Sequence, residues 1–336
     1  MSCVLVGNFV QLVLARIAAA VGEAGCMPPT YSLVGDYYPQ PAERTRALTI
    51  YALAGPLASL VSFVAGGQLN ERFGWRATFF AMGIPALLVA VLIKMTVVEP
   101  RLNASRGAQA KRDGPRFIDV MRALWQLRAS RHLIFALILV FTLGLGLAPW
   151  YAAFLMRSHG MDSAELGAWL GLIFCVGGGA GILWGGYVAA RWFANDERNQ
   201  MRLSAVTMAT LVPCFALFLL APRTGTALTA LAVLVVISSC FLGPTFALMQ
   251  RLVSDEMRAT TLAVVMLLAN LIGMGIGPQI VGALSDELRD TLGADSLRYA
   301  MLLMSLTALW AGWHFWQVGR TVGEDLLLTV KVDTAR

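Results

Sequence analysis

Charge is scarce in this chain. Asp, Glu, Lys and Arg supply 14% of its 336 residues, where an ordinary soluble domain carries about 25%. Too little polar side chain is available to cover a globular core, which excludes a soluble domain. Cysteine is sparse as well. Cys3, Cys26, Cys175, Cys214 and Cys240 lie in apolar stretches without Cys-x-x-Cys spacing, so neither a disulfide framework nor a metal site is expected. The chain has no His-Glu-x-x-His, no Gly-x-x-x-x-Gly-Lys-Ser/Thr and no Gly-x-Ser-x-Gly. It therefore lacks the signatures of zinc hydrolases, phosphate-cradling loops and nucleophile elbows. No cofactor and no enzymatic activity are expected. The net charge of +6 falls in short clusters between apolar runs, so it points to no nucleic-acid partner. The first residues lack a basic segment ahead of the apolar run, and no cleavable signal peptide is expected.

Apolar sequence is what the chain has in excess. Hydrophobic residues make up 57% of it, and the mean hydropathy is +0.67. A helix needs about 20 apolar residues to cross a bilayer core. By that measure nine spans are expected, over 9–34, 43–70, 75–98, 131–157, 164–193, 200–221, 225–250, 257–286 and 297–319. The expected fold class is an all-α polytopic membrane protein. Residues 1–98 would form part of one helical bundle, 99–130 a basic linker, 131–320 a six-helix bundle and 321–336 a tail.

Basic residues set the orientation of such a chain. Placing the linker, with Arg101, Arg106, Lys111, Arg112 and Arg116, in the cytoplasm also brings Arg44, Arg46, Arg191, Arg258 and Arg320 inside. The C-terminus is then cytoplasmic, in an inner (plasma) membrane. Within the linker, Phe117, Val120, Met121, Leu124 and Trp125 recur at i, i+3, i+4, i+7 and i+8, the pattern of an amphipathic helix. It lies either along an anionic lipid surface or as a solvated linker helix.

A weak repeat joins the two halves. Arg44-Thr45-Arg46-Ala47 opens the second span as Glu256-Met257-Arg258-Ala259-Thr260 opens the eighth, and both spans end in small residues (Ala65-Gly66-Gly67; Gly275-Ile276-Gly277-Pro278). Parallel repeats of six-helix halves are a transporter plan. Three spans precede the linker and six follow it, so the first half is expected to lack three helices.

Charges inside spans carry the functional expectation. Arg16 and Glu23 lie seven residues apart on one apolar helix, on the same face and about 10 Å apart along the axis. A charge at mid-membrane costs about 2.5–3.5 kcal/mol even on lenient scales and marks a polar path by default. A purely structural charge network is the bland alternative. Of the two, Glu23 is the group able to exchange a proton, because arginine stays charged. Trp150 and Tyr151 read either as an interfacial belt or as a stacking wall for substrate. Asn270 reads as an interhelical hydrogen-bonding group or a substrate contact. Glycines at intervals of four (Gly167, Gly171; Gly177, Gly181, Gly185) read as close-packing positions. His132, His159 and His314 have no metal-ligand spacing.

Taken together, these residues resemble the major facilitator superfamily, and within it the Spinster-like transporters. The resemblance is carried by Ala15-Arg16, Gly22-Glu23-Ala24, Pro28-Pro29, Asp36-Tyr37-Tyr38-Pro39, Arg46-Ala47, Tyr51, Gly66-Gly67 and Gly74-Trp75-Arg76. Phe154-Leu155-Met156-Arg157-Ser158-His159-Gly160-Met161 and Arg258-Ala259-Thr260 extend it over residues 1–320. It implies a twelve-helix fold of which this chain would hold helices four to twelve. It also implies alternating access for a small or lipid-like solute, coupled to protons, with membrane lipids as surroundings. Arg16 and Glu23 match the fourth-helix charges of that family, and Asp36, Arg46, Arg191 and Arg258 fall at its cytoplasmic gating positions. Two departures stand out. Ala190 replaces the aspartate expected before Arg191, which weakens one gating contact, and Ala54 and Ala58 stand where relatives carry glycine. The same fold also accommodates multidrug or organic-acid exporters, and a non-transporting remnant is the reading from a different class.

Overall fold

The computed structural model describes residues 4, 6–24, 30, 33–34, 37–38, 40–97, 117–193, 196–253 and 257–334. Among these residues the regular structure is helical: α1 (Phe9–Ala24), α2 (Pro41–Thr96), α3 (Phe117–Gln126), α4 (Arg128–His159), α5 (Ser163–Leu172), α6 (Gly178–Trp192), α7 (Glu197–Leu220), α8 (Thr224–Ser239), α9 (Leu242–Arg251), α10 (Arg258–Glu287), α11 (Ser296–Ser305) and α12 (Thr307–Thr334). A chain this apolar must satisfy its backbone groups internally in lipid, and helices do so within one segment.

Contacts group the chain into two units, one formed by Met1–Ala110 with Asp162–Cys175, the other by Lys111–Met161 with Val176–Arg336. In the first unit, α2 is two helices meeting at Gly74, whose φ of 76° and ψ of 170° are open essentially to glycine alone. The expected boundary between the second and third spans falls at this point. α2 packs against α5, where a Cβ on Gly67 would lie 3.1 Å from the Gly167 Cα. Polar groups close the same seam. Asn70 donates to Ser163 Oγ at 3.0 Å, and Glu71 Oε2 accepts the Ala164 N–H at 3.0 Å. Asp162 caps α5 by accepting the Glu165 N–H at 2.7 Å, in the Asp-x-x-Glu pattern of a helix start. Phe63 stacks on Phe174 with ring centroids 5.7 Å apart. α5 continues into α6 through one wide π turn, Ile173–Gly177.

The second unit has a dense core. α10 and α12 both pack along α4, α12 also along α7, α7 along α8, and α6 along α8. Phe154, Phe215, Phe218 and Phe315 are fully buried, with Phe218 edge-on to both Tyr151 and Phe154 at 5.5 and 5.2 Å. Gly146 and Gly277 bring α4 and α10 together, a Cβ on either lying within 3.0 Å of the other's Cα. α4 ends at Gly160 in the left-handed conformation (φ 66°, ψ 21°), the usual glycine stop. α3 buries Val120 and Leu124 while Ile118 and Trp125 stay exposed, and it packs on α4 and α10. Val120 and Leu124 of the amphipathic stripe thus dock onto this bundle, while Trp125 of the same stripe stays exposed.

Six helices among the described residues are long and apolar enough to cross a membrane, against nine expected spans. The difference is one of continuity. The second and third spans merge into α2, the first is represented by the 16 residues of α1, and the last is interrupted at Leu306 between α11 and α12. The helix then runs to Thr334, through the segment expected as a tail from 321 onward. Val322 and Asp325 are buried there. The Asp325 Oδ2 accepts the Ala129 N–H at 2.6 Å, satisfying one of the free amides at the start of α4.

Candidate functional site

Arg16 and Glu23 both lie on α1, two turns apart as their spacing requires. The Arg16 side chain is exposed; that of Glu23 lies outside the described residues. Asp36 also lies outside them, as does the side chain of Arg46, whose backbone belongs to the second turn of α2. Arg191 is exposed in the last turn of α6. Arg258 opens α10, and its Nε donates to the Gln250 carbonyl at 3.0 Å, tying α10 back to the end of α9. Arg191 and Arg258 thus stand at helix ends.

The three remaining candidates differ from one another. Tyr151 is 3% exposed and packs edge-on against Phe218, a core position on α4. Asn270 donates to the Met266 carbonyl of its own helix at 2.8 Å, so its amide nitrogen is turned along α10. Trp150 lines a cavity. Its indole N–H donates to the Pro278 carbonyl at 3.2 Å, and the absent side chain of Gly282 gives the ring its place, since a Cβ there would meet it at 3.3 Å.

That cavity, about 990 Å³, lies at the ends of α4 and α10 and is lined by Trp150, Arg157, Ser285, Asp286, Arg289 and Asp290 among others. The buried Ser285 and Ser296 hydroxyls meet at 3.3 Å in its wall. Nearby, Arg298 pairs with Asp295 at 2.7 Å and lies over the Phe154 ring at 5.9 Å. Arg157, Asp286, Arg289 and Asp290 are exposed and, among the described residues, carry no ion pair. The arrangement offers guanidinium groups to an anion, carboxylates to a cation and an indole face to an apolar group. Apart from Trp150, sequence reading missed this set. Its signal is the i, i+3, i+4 spacing of Asp286, Arg289 and Asp290, which alone reads as a solvated helix end. Among the described residues, no group of three or more His, Cys, Asp or Glu side chains is placed to hold a metal ion.

A chain whose described residues are helical, with this hydropathy and these buried seams, is a polytopic membrane protein. Its sequence matches the Major Facilitator Superfamily over residues 1–278, and the chain belongs to that family. It is 33% identical over 299 residues to an MFS-type efflux pump of Mycolicibacterium smegmatis, covering 88% of this chain and 67% of the pump. It is 24% identical over 340 residues to protein spinster homolog 1 of Xenopus laevis, covering 94% of this chain and 64% of that protein. The crystal structure of a bacterial homolog to the human lysosomal transporter Spinster, inward-facing and unoccupied, matches with a TM-score of 0.81 at 24% identity, over 96% of this chain and 80% of that one. The chain thus shares the fold of the Spinster homologue, and it spans about two thirds of the length of the two curated relatives.

Proposed function

We propose that the chain is a secondary transporter that moves a small or lipid-like amphipathic solute across the inner (plasma) membrane by alternating access, driven by protons. The observation that carries this reading is the presence of Arg16 and Glu23, two turns apart, on an otherwise apolar helix in a member of a transporter family. Glu23 takes up and releases the proton, while Arg16 stays charged and attracts an anionic headgroup. The C-terminus is cytoplasmic, and Asp36, Arg46, Arg191 and Arg258 work at the cytoplasmic gate. Trp150, Tyr151 and Asn270 belong to the substrate-binding half. A second reading, a multidrug or organic-acid exporter, is favoured by the identity with the efflux pump.

The full chain reconstituted in proteoliposomes tests both. Lysophospholipids, organic anions and cationic amphiphiles are offered with and without a pH gradient. Gradient-driven movement of one class is expected, and Glu23→Gln is expected to abolish it. Transport unchanged in that variant removes Glu23 from coupling. No movement of any solute class supports a non-transporting remnant instead.

A further inference from the structure

The second unit holds a pair of histidines that the transport reading does not use. His132 lies one turn into α4 and His314 lies in α12, 182 residues away, and their Nδ1 atoms are 2.9 Å apart. His314 is buried. Trp313 stands edge-on to both rings at 5.6 and 4.8 Å, and Phe135 and Trp310 lie 5.4 and 6.1 Å from the His314 ring. Ionisable side chains within apolar bundles mark functional sites by default.

The contact restricts the protons it can hold. Where two Nδ1 atoms meet, one must carry hydrogen and the other a lone pair. The neutral pair therefore combines opposite tautomers. One added proton leaves the bond intact and makes it charge-assisted. A second sets N–H against N–H and brings two positive charges into contact.

Among the described side chains, the surroundings do little to neutralise a second charge. α4 contributes Arg128 and Arg131, α3 contributes Arg122, and α7 contributes Arg198 and Arg202, the last lying over the Trp316 ring at 5.2 Å. α10 carries Arg258 at one end, with Asp286 and Glu287 at the other. α9 ends at Arg251, which is paired with Glu197 of α7, while α11 carries Arg298, which is paired with Asp295. On α12 itself stand Arg320, the exposed Glu324 and Asp325, whose carboxylate is engaged with the Ala129 amide.

We propose that His132 and His314 form a proton-binding site that holds a single excess proton between α4 and α12, and that a second proton parts the two helices there. The proposal does not rest on Glu23. Its effect on stability has a definite sign. In the acid range the unfolded chain carries a proton on each of these rings and the folded chain one for the pair, so stability falls as pH falls through the imidazole range.

The chain has three histidines, so imidazole nitrogens can be followed one by one in nitrogen-15 histidine-labelled protein in detergent. His159→Gln assigns the third ring. Near neutral pH, one ring of the pair is expected as the Nδ1–H tautomer and the other as the Nε2–H tautomer, with a coupling across the hydrogen bond. From about pH 8 to about pH 5, the thermal midpoint of the wild-type chain is expected to fall about 2–4 °C more than that of the His132→Gln, His314→Gln double variant. Two Nε2–H rings titrating independently would overturn the proposal, as would parallel midpoint curves. If the double variant does not fold, the tautomers and titration of the wild-type rings decide.

Discussion

In α4, half of the most apolar 18-residue window is buried within the protein, whereas in α2 none of the corresponding window is. Both helices are apolar enough to cross a membrane, so hydropathy does not separate them. Lipid is as apolar as leucine, and helices associate in it through close packing and polar contacts rather than through hydrophobic expulsion from water. In the second unit small residues permit such packing at several seams: Gly146 on Gly277, Gly273 on Phe141, Gly181 and Gly185 on the α8–α9 region. The first unit has a clear seam of this kind at Gly67 and Gly167, while Phe80, Leu88 and Leu92 point outward. Apolarity thus places a helix in the membrane, and close approach decides what it holds there.

The largest test of this contrast is a pair of phenylalanine truncations. Phe218 is fully buried on α7 beneath Tyr151 and Phe154, whereas Phe80 is 51% exposed on α2. Phe218→Ala is expected to cost about 3–5 kcal/mol through lost contacts and a residual cavity. Phe80→Ala is expected to change thermal stability in detergent very little. Equal losses would show that the exposed face of α2 is packed within the protein after all.

A smaller effect distinguishes glycines by what surrounds them. A Cβ on Gly185 would overlap the Cys240 carbonyl, whereas one on Gly66 would meet nothing within 4 Å. Gly185→Ala is expected to cost about 1–3 kcal/mol by forcing α6 off its neighbour. Gly66→Ala is expected to be neutral or slightly stabilising, since alanine favours helix. Thermal midpoints of the two variants, compared with wild type, measure the difference. A neutral Gly185→Ala would mean that this seam yields at little cost.

These seams explain how much of the molecule the sequence disclosed. The spans were legible because a 20-residue apolar run is a strong local signal, and the break at Gly74 was legible from Gly74-Trp75-Arg76 following a charged stretch. The helical course beyond Arg320 was not, because Glu324 and Asp325 look like a soluble tail until Asp325 is seen buried against the first turn of α4. Arg16 and Glu23 could be singled out because a charge in an apolar run is conspicuous by itself. The cavity at Trp150 and the His132–His314 contact depend on residues from different helices meeting in space, and no spacing along the chain encodes that. Asn270 shows the converse: a conspicuous polar residue whose amide nitrogen bonds within its own helix.

The smallest effect is expected where the first unit does close. Glu71 accepts the Ala164 N–H at the start of α5, beside the Asp162 cap. A carboxylate in that place complements the positive end of the helix dipole, which is worth about 0.3–1 kcal/mol and is screened by salt. Glu71→Gln keeps an oxygen able to accept the bond and removes only the charge. Its thermal midpoint is therefore expected to lie slightly below wild type at low ionic strength and to converge with it as salt is raised. Ser163→Ala, which deletes the Asn70 partner without changing charge, is the control, and its deficit should persist in salt. If both deficits respond to salt alike, the seam between α2 and α5 is held by packing at Gly67 and Gly167 and owes nothing to the carboxylate.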